Sequence, residues 1–89
     1  MSSQNLTITD IRTTFRVMLA WAKDAGVDVD RWRLTEGSST YGNSWAVVDV
    51  DPETGGQRTV ARFGFTRRNA YDGLRGMADA FKVLAPKEA

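Results

Sequence analysis

The sequence predicts an α+β domain of order αβββα, in which a three-stranded antiparallel sheet carries two helices on one face. Two observations predict it. Apolar residues recur at steps of three and four near both ends of the 89-residue chain, and at steps of two in its middle. Turn-forming residues separate the middle segments.

The first helix is announced by Thr7-Ile8-Thr9-Asp10, which fits a capping box with Thr7 as N-cap and Asp10 reaching back. Ile8, Ile11, Phe15, Met18, Ala22 and Ala25 then form one helical face. Gly26 is the natural C-terminal stop, with Val27 beyond it for the accompanying apolar contact. From Arg31 the period becomes two: Trp32 and Leu34 alternate with Arg31, Arg33 and Thr35, as a half-buried strand requires. A polar loop, Glu36 to Asn43, leads to a valine-rich second strand, Trp45 to Val50. Asp51-Pro52-Glu53-Thr54-Gly55-Gly56 reads as a hairpin turn, and Thr59 to Phe65 as the third strand. Thr66 caps the second helix, whose buried stripe is Ala70, Leu74, Met77, Ala78, Phe81 and Leu84, with Pro86 as terminator. Gly73, Gly76 and Ala80 lie along one flank and predict close approach of another backbone. Residues 7–85 are expected to form the single domain, with a disordered N-terminal tail at 1–6 and a short C-terminal tail at 86–89.

Strand parity divides the sheet residues into two sets. A turn that pairs Asp51 with Gly56 sets Asp49 opposite Arg58, Val47 opposite Val60 and Trp45 opposite Arg62. Ala46, Val48, Val50, Ala61, Phe63, Phe65, Trp32 and Leu34 then face the helices. The uncovered face is expected to carry Arg31, Arg33, Arg58 and Arg62 around Trp45, Val47 and Val60. Arginines interleaved with an aromatic suit either an acidic protein partner or phosphates and bases. Val17 and Trp21, set about a quarter turn or more off the buried stripe of the first helix, are a second candidate interface. They would serve a partner protein or a second copy of the chain if exposed. Alternatively, Trp21 wraps around the edge of the core.

The chain has neither histidine nor cysteine, so thiolate–imidazole zinc sites and disulfides are excluded. Asp49, Asp51 and Glu53 superficially match the start of a calcium loop, but the twelfth position is Val60, where a bidentate Glu is required. Gly37-Ser38-Ser39-Thr40 lacks the ending of a phosphate loop. No catalytic, metal or cofactor-binding residues are therefore predicted, and the expectation is a binding protein, not an enzyme. A net charge of +1 recruits nucleic acid or membrane only weakly in bulk. Neither a signal peptide nor a membrane-spanning run is visible, which predicts a cytoplasmic protein without membrane contact.

Three resemblances add to this reading. Thr40 to Trp45, Asp51 to Gly56 and Phe65 to Ala78 together resemble a group of small uncharacterised proteins encoded by mycobacteriophages. The resemblance implies an accessory protein that meets a host or phage protein in the host cytoplasm. Gly42 to Trp45, Asp51 to Gly55 and Phe65 to Ala70 also resemble the arm-type DNA-binding domain of tyrosine integrases. That family lays its sheet in the major groove, which implies duplex DNA as the alternative partner; no recombinase domain accompanies the match. Here Asp49 and Asp51 stand where those strands are more basic. Finally, the αβββα order is similar to the double-stranded-RNA-binding domain, with Arg67-Arg68 at the position of its lysine pair. Tyr71 replaces the next lysine, so this likeness implies fold and not RNA binding.

Overall fold

A computed structural model describes residues 6–37 and 42–85. Its order is α1 (Ile8–Asp24), β1 (Trp32–Thr35), β2 (Trp45–Val50), β3 (Gln57–Gly64) and α2 (Arg67–Leu84). The strands form one antiparallel sheet in the order β1-β2-β3. Residues 1–5, loop residues 38–41 and the segment from Pro86 lie outside the described residues.

Both helix starts are closed by threonine. Thr7 Oγ1 accepts from the Asp10 amide at 3.1 Å, while the Asp10 carboxylate accepts from the Thr7 amide at 3.0 Å. Thr66 Oγ1 accepts from the Asn69 amide at 3.0 Å. These bonds satisfy amide donors that have no partner inside a helix. Thr7→Ala should therefore cost about 1 kcal/mol, read as a lowered midpoint in thermal unfolding. At the end of α1, Gly26 takes φ of 89°. Its amide donates to the Lys23 carbonyl and the Val27 amide to the Ala22 carbonyl, both at 3.0 Å. A side chain at position 26 would resist that left-handed turn, so glycine is where the helix can stop.

An odd number of antiparallel strands between two helices makes the helices run in the same direction. Contacts at both ends show it: Arg67 at the start of α2 donates to the Leu6 carbonyl just before α1, at 3.0 Å. At the other end, Lys82 Nζ stands 5.7 Å from the centroid of the Trp21 ring. α1 lies alongside α2, and α2 rests on β2 and β3. The core joins Ile11, Met18 and Ala22 of α1, Trp32 of β1, Trp45 and Val47 of β2, and Ala70, Leu74 and Ala78 of α2. Leu34, Phe63 and Phe81 close its edges.

The hairpin turn forms as the sequence predicts. The Asp51 amide donates to the Gly56 carbonyl and the Gly55 amide to the Asp51 carbonyl, both at 2.8 Å. Asp51 also accepts from the Glu53 amide at 2.8 Å. That bond is the main cause of a carboxyl held below the ordinary aspartate value; burial opposes it, and hydrogen bonding to Thr54 and the charge of Arg31 assist. A depressed value in the folded state stabilises above the ordinary pKa and is lost as pH falls through the lowered one. Asp51→Asn should thus flatten the acid side of a stability-against-pH curve by lowering stability at neutral pH, and leave the region below the lowered pKa little changed.

The flank of α2 behaves differently at its two glycines. A Cβ at Gly73 would overlap the Phe63 ring of β3, whereas a Cβ at Gly76 would meet open space. The close approach expected of both exists only at Gly73, and it is to a side chain of the sheet rather than to a backbone.

Candidate functional site

The register reverses the expected parity of β2. Asp49 does pair with Arg58, but Val47 pairs with Ala61 instead of Val60, and Trp45 with Gly64 instead of Arg62. Register shifts fall between Val47 and Val48 and between Trp45 and Ala46. The first leaves Val60 without a partner on β2 and slips Val47 and Ala46 by one; the second passes over Phe63, so Trp45 slips by two. Trp45 and Val47, expected on the uncovered face, sit in the core at 2% and 0% exposure. Ala46 and Val48, expected to face the helices, are buried at 6% and 5% but lie on the opposite face, across from Arg62 and Thr59. Phe65, also expected inside, lies beyond the end of β3 and is exposed.

The four arginines do not form one field. Arg31 holds Asp49 at 2.8 Å and Arg58 reaches the same carboxylate at 3.5 Å. Arg58 belongs to the row of Asp49 and Trp32, on the helix side of the sheet, which corrects its expected position. Arg33 lies across from Val48, and its guanidinium donates to the carbonyls of Asp30 and Trp32 at 3.0 and 2.8 Å. Arg62 has no polar partner among the described residues. The open face therefore presents Arg33 and Arg62 beside Thr35 and Thr59, with Ala46 and Val48 buried in the row between them and no aromatic at its centre. Val60 is exposed, at the bulge. Two of the three carboxylates of the apparent calcium loop are occupied, Asp49 by two arginines and Asp51 by its own turn.

Val17 and Trp21, in contrast, do come together. Val17 is 46% exposed, and Trp21 is half-buried against the edge of the core, in agreement with the wrapped alternative. They form one wall of a groove of about 240 Å³ between the parallel helices. Tyr71, Arg75, Ala78, Asp79 and Lys82 of α2 form the other. Arg75 stands 5.7 Å over the Tyr71 ring and donates to its hydroxyl at 3.3 Å. That bond, with the fields of Tyr71 and Asp79, raises the Arg75 pKa further, so the groove keeps this positive charge at any ordinary pH. Sequence reasoning missed the α2 wall, although a signal existed. Arg68, Arg75 and Lys82 recur every seven residues, two helical turns apart, on the flank beside the buried stripe.

No helix among the described residues is long and apolar enough to cross a membrane. Compared with protein-family models, curated proteins and solved structures, the chain matches none.

Proposed function

We propose that this protein acts without catalysis, by binding another protein through the groove between α1 and α2. The observation that carries the reading is the placement of Val17 and Trp21 in one concave, half-apolar channel. Single exposed apolar residues are common on protein surfaces, but an exposed valine beside a partly open tryptophan, rimmed by charges, has the make-up of a protein contact. The resemblance to phage-encoded proteins suggests a host or phage protein in the bacterial cytoplasm as the partner. Affinity capture from a mycobacterial lysate tests the reading. A specific protein should be retained by the wild type and lost with Val17→Asp, a change at an exposed site that should leave the melting temperature nearly unchanged. Equal retention by both would end the proposal.

Duplex DNA binding through the open sheet face is the weaker reading. Arg33 and Arg62 support it, whereas the loss of Trp45 to the core and the pairing of Arg31 and Arg58 with Asp49 count against it. It requires retardation of mixed-sequence DNA at low salt, weakened by Arg33→Ala and Arg62→Ala. It also requires a log–log salt slope of about −0.9 per phosphate neutralised.

A further inference from the structure

We infer that the groove receives an acidic amphipathic helix of the partner, with two carboxylates seven residues apart; this rests on the protein-binding reading above. The floor is apolar, made by Val17, the Trp21 and Tyr71 rings and Ala78. Charge stands on the α2 side only, at Arg75 and Lys82 with Asp79 between them. Arg12, Arg31, Arg58 and Arg68 each hold a carboxylate within the chain, but among the described residues neither Arg75 nor Lys82 has one within 4.0 Å, Asp79 and Asp72 reaching Arg75 only through their fields. Each instead stands over an aromatic ring, at 5.7 Å. A cation resting on a ring is positioned while most of its donors remain free, so a carboxylate meets it with little further ordering.

The spacing selects the conformation of the occupant. Seven residues of α2 separate the two cations by about 10.5 Å along the helix axis. A helix lying along the groove repeats its side chains on one stripe at that same interval. An extended strand presents same-face side chains about 6.6 or 13 Å apart and misses it. Asp79 lies between the cations on the same wall and repels an acid at the midpoint. The occupant must therefore carry acids at both ends of the interval and a neutral or basic residue between them, a discrimination by repulsion as well as attraction. Docking an apolar helix face in a groove is an established recognition mode, and the Val17–Ala78 floor supplies the apolar half of it.

Fluorescence anisotropy with labelled 18-residue helical peptides tests the inference. Two peptides share one leucine stripe and differ only at two flanking positions seven apart, both Glu or both Lys. The Glu peptide should bind the wild type at least tenfold more tightly than the Lys peptide. The double change Arg75→Glu/Lys82→Glu should reverse that order, and Val17→Asp should abolish binding of both. Arg33→Glu/Arg62→Glu, on the far sheet face, should change neither. No binding, equal binding of both peptides, or an equal loss with the far-face variant would overturn the inference. So would sedimentation showing a wild-type dimer that Val17→Asp converts to monomer, because the occupant is then a second copy. If lysate capture depends on Val17 while the Glu peptide fails to bind, the protein-binding reading stands and the acidic helix falls. If capture is indifferent to Val17→Asp, both fall.

Discussion

Trp45→Ala is expected to cost about 3–5 kcal/mol, because it removes the largest fully buried side chain of the protein. A domain of this size has a total stability of about 5–15 kcal/mol, so the variant should be partly or wholly unfolded at 37 °C. The loss has two parts: the apolar surface returned to water, and a cavity between β2 and the helices that the sheet cannot close. Arg62→Ala, a few residues away on the open face, should change stability by less than about 0.5 kcal/mol. Urea denaturation of both variants separates the observed register from the regular one. With an unbroken ladder Trp45 would stand opposite Arg62 in solvent, and the two substitutions would be similarly mild.

The two glycines of α2 should respond to alanine with opposite signs. Gly76→Ala fills open space in a helix interior and should stabilise by about 1 kcal/mol. Gly73→Ala gains the same helix propensity but drives a methyl into the Phe63 ring, and overpacking of this kind costs about 1–3 kcal/mol. A difference between the two variants of about 2 kcal/mol should appear as roughly 8–16 °C in melting temperature. Adding Phe63→Leu to Gly73→Ala should recover part of the loss, and a double-mutant cycle would measure the coupling. Equal effects at 73 and 76 would mean that α2 does not sit on β3 as described.

Much of this fold was legible because local signals agreed with one another. Thr7 with Asp10, Thr66, Gly26 and the 51–56 turn each specify an element boundary through a hydrogen bond that the sequence itself names. Parity of the middle strand was not legible, for a physical reason. Trp45-Ala46-Val47-Val48 is apolar at every position, so alternation carries no information about which face is buried. Its orientation had to be inferred from β3 through a regular ladder, and the bulge at Val60 interrupts that ladder with an ordinary β-branched residue and no glycine to mark it. The same slip dispersed the expected arginine cluster, and the pairing of Arg31 and Arg58 with Asp49 removed half of it. The helical groove was half visible. Val17 and Trp21 stood out on α1, while the seven-residue repeat of Arg68, Arg75 and Lys82 was hidden among the alternating charges of an ordinary solvated helix face.

The parallel course of α1 and α2 has a consequence for rewiring the chain. The domain is entered at Thr7 at one end of the helical layer and left at Ala85 at the other, about 27 Å away at 1.5 Å per residue of α2. A circular permutant opened in the 52–55 turn would need a linker that spans this distance over the helices. That is at least eight residues when fully extended, and a flexible one would have to be longer. Copies fused end to end through a short linker would instead follow one another along the helix axis, like carriages in a train.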